Sequence, residues 1–159
     1  MWSPRGQPAQ VVLSGRNVRR VVFGAMNLIT GHRLFLLRER QYANDFQAFL
    51  REVRRHYRGW HVVLLLDSDP SHTAHASQAL ARRLGLRLLW LPKRAPELNP
   101  MDTLWGQAKD ATAANKQYAN IDEQAEVFIA HLRSLSNKDA LRTSGVLSNH
   151  FWLKHALSK

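Results

Sequence analysis

The stretch from His61 to Leu66 (HVVLLL) constrains this chain more than any other, because it is a continuous apolar run of strand length. Such a run is the pattern of a strand covered on both faces, which is how parallel sheets are built. A second run follows from Leu86 to Leu91 (LRLLWL), and the residues between them, Ser71 to Leu84, have a helical pattern with Gly85 as the stop. Strand, helix and strand in that order predict a parallel pair joined by a crossover, and hence an α/β chain.

The flanking segments extend this unit. The first ten residues, with Trp2, Pro4, Gly6 and Pro8, read as an irregular lead-in. Gln10 to Ser14 reads as a short strand turning at Gly15. Val18 to Ile29 is β-rich, and Thr30-Gly31 marks a tight turn before Arg33 to Leu37, a hairpin signal. Asn44 or Asp45 is positioned to cap a helix whose apolar residues Phe46, Phe49, Leu50 and Val53 recur at helical spacing. Beyond the second apolar run, Pro92, Pro96 and Pro100 punctuate a loop. Met101 to Ala114 and Ile121 to Leu135 then read as helices, with a shorter one near the C-terminus. The expectation is one α/β domain over residues 1–159, a mixed sheet flanked by helices, with no internal repeat and no linker.

Composition removes whole classes of function. The chain has no cysteine, which excludes disulfides, thiolate zinc sites and a cysteine nucleophile. Its apolar runs are far shorter than the ~20 residues that span a bilayer, and no signal-peptide pattern opens it, so a soluble, cytoplasmic protein is expected with no membrane partner. The charge is informative in its distribution. Residues 1–99 carry 16 basic and 6 acidic side chains, whereas residues 100–159 carry 7 and 6, and 17 of the 23 basic residues are arginine. Forked guanidinium groups suit phosphate, and such an imbalance points to nucleic acid. Arg16, Arg19, Arg20, Arg51, Arg54, Arg55, Arg58, Lys93 and Arg94 are the candidate phosphate contacts; a solvated basic helix face is the plainer reading of the Arg51–Arg58 group.

Two acids stand out. Asp67 closes the strongest strand, at the end of a buried parallel strand where α/β folds place their active sites; it equally reads as a turn aspartate helped by Ser68 and Asp69-Pro70. Asp102 lies in the first turn of the helix after the proline-rich loop, where an acid also complements the helix dipole. Thirty-four residues separate them, and after one crossover they can converge on divalent metal ions. Mg²⁺ and similar hard ions take oxygen ligands, and pairs of them serve phosphoryl transfer. His72 and His75 follow Asp67 three residues apart on a helix; a surface pair or a phosphate contact at His72 is the better reading than metal ligation. Leu104 and Trp105 read as core anchors.

The stretch LLLDSDPSHTA, followed by LRLLWLPKRAPELNPMDTLWGQAKD, resembles the second half of a DDE transposase domain of the mariner-like superfamily, particularly its bacterial insertion-sequence branch. Leu91-Pro92, Pro96-Glu97-Leu98-Asn99-Pro100, Asp102, Trp105 and Lys109 match that family's order, and the WSPRGQP and RRVVFGAMNLITG segments are also similar to it. The resemblance implies an RNase H-like fold and a Mg²⁺- or Mn²⁺-dependent endonuclease and strand-transferase of the two-metal type, acting on transposon ends and target DNA. It places Asp67 as the second catalytic, metal-holding acid and Asp102 as the third, with Glu97 structural.

One departure matters. The family's first acid ends an opening strand before the W-x-P-R-G-Q segment, which here begins at Trp2, so no residue of this chain matches it. The expectation is therefore the C-terminal part of a transposase, with the first strand missing or incomplete. It would be inactive alone, work with the upstream half, and dimerise on DNA. A non-catalytic DNA-binding remnant is the alternative, and a structural or assembly subunit with an incidental basic surface is the third reading.

Overall fold

In this computed structural model, residues 10–14, 18–113 and 117–157 are described; the lead-in before Gln10 and the turn at Gly15 lie outside them. The expected elements are present in the expected order. β1 (Gln10–Ser14), β2 (Arg19–Met26) and β3 (Arg33–Arg38) form an antiparallel sheet with β2 in the middle. α1 (Ala43–His56) leads to β4 (Val62–Leu66), which pairs in parallel with β5 (Leu86–Trp90), Leu66 opposite Trp90. The expected single mixed sheet is thus two ladders, and among the described residues no ladder joins them. They are held together by packing: Val21 and Phe23 of β2, Phe46, Phe49, Leu50 and Val53 of α1, and Leu66 and Leu86 share one apolar cluster.

β2 is buried on both faces, which explains its unbroken apolar sequence. Val21 and Phe23 face α1, whereas Val22 faces a second cluster built by α4 (Pro100–Ala113) and α5 (Ile121–Ser134). Leu104, Trp105 and Ala108 anchor α4 there, the Trp105 ring stacked on Phe128 of α5 and tilted against Phe35. Gly24 permits this approach, since a Cβ there would stand 2.5 Å from the Trp105 ring. The β2–β3 turn is closed by Asn27, whose side-chain oxygen accepts the Ile29 and Thr30 amides, while Gly31 takes φ +81° against the backbone of Asn137.

Two local expectations are corrected. The cap of α1 is Tyr42 and not Asn44 or Asp45; Asp45 sits in the first turn and its carboxylate accepts the Tyr42 amide at 3.0 Å while pairing with Arg38. The helix expected over Ser71 to Leu84 is two: α2 (Pro70–Thr73) and α3 (His75–Arg83), broken at Ala74, whose ψ of 139° is extended. Side chains carry the chain across the break, the Ser77 hydroxyl donating to the Ser71 carbonyl and the Gln78 amide to that of Thr73. The C-terminal helix is also two, α6 (Asn137–Thr143) and α7 (Lys154–Leu157). No helix among the described residues is long and apolar enough to cross a membrane.

Candidate active site

Asp67 follows directly on β4, where the ladder ends. The chain leaves the sheet into a turn whose polar atoms are committed locally: Asp69 accepts the Ser71 amide (2.9 Å) and hydroxyl (2.6 Å), capping α2 with Pro70 in its first turn. α2 in turn carries His72 back toward the strand end. The His72 Nδ1 stands 2.9 Å from Asp67 Oδ1 and 3.1 Å from the Asp67 carbonyl oxygen, and the ring is fully buried against Phe46. The Asp67 carboxylate itself stays partly accessible, at 25%.

Asp102 reaches the same neighbourhood from the other side of the crossover. The Leu91 amide donates to the Leu66 carbonyl at 2.8 Å, so the proline-rich loop starts beside Asp67. A 3-10 turn at Pro96–Leu98 and the side-chain oxygen of Asn99, which accepts the Met101 amide, then launch α4. Trp152 steadies the loop by donating to the Leu98 carbonyl. Asp102 sits in the first turn of α4, with Oδ1 buried and without a hydrogen-bond partner among the described residues. Burial, and after it the charge of Asp67, push its carboxyl up to about 6. The two carboxylates therefore feel each other. Lys109 follows seven residues later, two turns along the same helix face, and burial lowers its amine to about 8.

The basic candidates divide by what they touch. Lys93 and Arg94 are exposed in the loop beside the strand ends, and Arg94 holds a positive φ of 60°, a backbone state costly for a side-chain-bearing residue. Arg19, Arg51 and Arg58 are exposed. Arg55 pairs with Glu52, and Arg20 with Asp122 at 2.7 Å, tying β2 to α5. Arg54 does not fit a phosphate contact: its guanidinium donates to the carbonyls of Tyr57, Trp60 and Leu84 and fastens the end of α1. Nor does His72, which has no exposed surface and is turned to Asp67. Arg16 lies outside the described residues. His75 is exposed, and among the described residues no group of three His, Asp or Glu side chains is placed to hold a metal ion. Sequence reasoning missed the roles of His72 and Asn99; a His five residues after the strand-end acid and an Asn just before the helix were the signals present.

Comparison with known proteins gives the family and the fold. The profile of the family described as DDE superfamily endonuclease matches residues 1–125, so the chain belongs to that family. It is similar to the insertion element IS630 uncharacterized 39 kDa protein of Shigella sonnei, 25% identical over 122 residues, covering 76% of this chain and 36% of that one. It is also similar to the transposable element Tc1 transposase of Caenorhabditis elegans, 34% identical over 65 residues, 41% of this chain and 24% of the relative. The chain spans about a third or less of the length of these two relatives. Among solved structures, the Mos1 transposase catalytic domain with raltegravir and Mg superposes with a TM-score of 0.71 at 18% identity, over 94% of this chain and 79% of that one. A pre-cleavage Mos1 transpososome gives 0.69 at 17% identity, over 99% and 49%. The fold is that of the RNase H-like catalytic domains of DDE transposases.

Proposed function

We propose that this chain is the part of a transposase that supplies two carboxylates, Asp67 and Asp102, to a metal-dependent endonuclease and strand-transferase acting on DNA at transposon ends. The observation that carries this reading is the pairing of the two acids at the end of β4 and the start of α4, with Asp102 Oδ1 buried and unpartnered among the described residues and its carboxyl raised partly by Asp67. An all-oxygen donor set with one unsatisfied buried oxygen fits Mg²⁺ or Mn²⁺. Asp67 and Asp102 would hold the ion, which when bound supplies Lewis acidity to the phosphodiester and activates the attacking oxygen, first of water and then of a DNA 3′-hydroxyl. Lys93 and Arg94, exposed in the loop that leaves β5, fix the phosphate backbone without reading sequence.

Two-metal chemistry needs a further bridging carboxylate, and the described residues group no third one with these two. We infer that it comes from a strand of the upstream half of the transposase, and that the full assembly works as a homodimer on transposon-end and target DNA. The two unjoined ladders favour that reading, because a strand edge left open is a template for pairing.

A plasmid-nicking assay with Mg²⁺ or Mn²⁺ tests it. Residues 1–159 alone are expected to nick supercoiled plasmid no faster than background. Joined to an upstream segment bearing the first acid, the chain is expected to nick at least ~100-fold faster, and Asp67→Ala or Asp102→Ala to abolish this. Robust nicking by residues 1–159 alone, lost in Asp67→Ala, would overturn the need for an upstream acid. Salt-dependent DNA binding without nicking in the joined protein would favour a DNA-binding remnant instead.

A further inference from the structure

The fully buried His72 ring meets the charged Asp67 side chain, and the geometry of that contact fixes which nitrogen carries the proton. Nδ1 faces two oxygen acceptors, Asp67 Oδ1 at 2.9 Å and the Asp67 carbonyl at 3.1 Å. A bare lone pair there would repel both, so Nδ1 must donate. Nε2 is buried with no hydrogen-bond partner among the described residues, which suits the nitrogen that carries no hydrogen. Three features hold the ring in this pose. Phe46 tilts against it with centroids 4.3 Å apart, the His72 amide donates to the Asp69 carbonyl at 2.9 Å, and the break at Ala74 ends α2 one turn after the cap. A helix running unbroken from Pro70 to Arg83 would not need the Ser77 and Gln78 bonds that carry the chain across the break.

We propose that His72 is a positioning residue for Asp67. Its Nδ1–H pins Oδ1 and sets the carboxylate rotamer, so that the other oxygen is presented to the divalent cation. Second-shell hydrogen bonds of this kind orient metal-binding carboxylates, and their loss typically weakens metal affinity by about 10–100-fold. The proposal rests on the metal-site reading above and adds the residue that orients its first ligand. It also explains why a polar ring is buried beside Phe46, where a phenylalanine would satisfy packing alone.

The side chains of asparagine and glutamine separate positioning from packing. An asparagine amide nitrogen lies near the place of Nδ1, a glutamine amide nitrogen near that of Nε2, and phenylalanine fills the volume with no donor. Mn²⁺ binding to the 159-residue chain is measured by the electron paramagnetic resonance signal of free Mn²⁺, with thermal melting alongside. His72→Asn is expected to keep the Kd within about twofold, and His72→Gln and His72→Phe to weaken it roughly tenfold or more. A His72→Phe chain that melts and binds Mn²⁺ like the wild type would overturn the proposal, as would equal weakening by Asn and Phe. Asp67→Ala separates the two levels. Wild-type binding that survives Asp67→Ala, or is absent altogether, overturns the metal-site reading and this inference with it. Binding lost in Asp67→Ala but kept in His72→Phe overturns the role of His72 alone. Imidazole ¹⁵N shifts of the wild-type chain decide the matter without metal or mutation: an Nδ1–H tautomer is expected at His72, and an Nε2–H tautomer would overturn it.

Discussion

Asp102 is held where ionisation is costly. Its carboxyl is raised to about 6 from 3.8, first by burial and then by Asp67. The sign follows from linkage. Between the two values the folded chain binds more protons than the unfolded one, so stability falls as pH rises through this window. Above about 6 the penalty is complete, and below the unfolded value it vanishes. Asp102→Asn removes it. In the metal-free chain at pH 7.5 this variant is expected to be more stable by on the order of 1 kcal/mol, a figure reduced for a group that keeps solvent contact. That corresponds to a melting temperature about 2–4 °C higher, and the difference is expected to close by about pH 4. Calorimetry across that range checks it, and an advantage that does not depend on pH would count against electrostatic strain at Asp102. Added Mn²⁺ is expected to raise the melting temperature of the wild type and not of the variant. The same contest between burial and solvation sorts the arginines: Arg54 is spent on three carbonyls, whereas Arg94 is exposed at a positive φ.

Among the elements, α4 couples the core to the site. Trp105 is fully buried and stacked on Phe128, one turn beyond Asp102, so the acid sits on a helix whose position is fixed by packing rather than by its own ends. Gly24→Ala would drive a Cβ to 2.5 Å from Cη2 and 2.8 Å from Cζ2 of Trp105. Since neither β2 nor the indole has room to move, the change is expected to cost about 1–3 kcal/mol in denaturant unfolding. It is also expected to weaken Mn²⁺ binding, as α4 is pushed off the sheet. Wild-type stability would show that the indole repacks. The break between α2 and α3 belongs to this scale too. Periodicity reads straight through it, because the residues on either side still bury one face, Leu80 and Ala81 among them. Its cause is a set of side-chain bonds to backbone that no hydropathy pattern encodes.

For the whole molecule, the basic half of the chain is the half that carries both ladders and Asp67. If that surface binds DNA, affinity is expected to fall linearly with log salt, with a slope of about −0.9 per phosphate neutralised. The double change Lys93→Ala with Arg94→Ala is then expected to flatten the slope by about two phosphate contacts, whatever the DNA sequence. An unchanged slope would move the interface away from the strand ends. Fluorescence anisotropy with labelled duplexes between 50 and 200 mM salt, about the range over which such binding changes most, makes the measurement.

The sequence by itself determined the elements, their order, and the two acids. Apolar runs of strand length mark β2, β4 and β5, and Asp67 stands out as the first charge after one of them. Only β2 is buried on both faces, however, since Val63, Leu89 and Trp90 leave one side of the β4–β5 ladder exposed, against the expectation of strands covered on both faces. The proline-rich segment fixed where α4 begins and therefore that Asp102 lies in its first turn. Only the tertiary structure decided what each polar group faces. It turned His72 from a surface candidate into a buried partner of Asp67, committed Arg54 to the backbone, and split one expected sheet into two ladders held by packing. The physical reason is range. Burial acts residue by residue and leaves a local pattern, whereas a hydrogen bond or an ion pair joins groups whose meeting depends on every element folded between them.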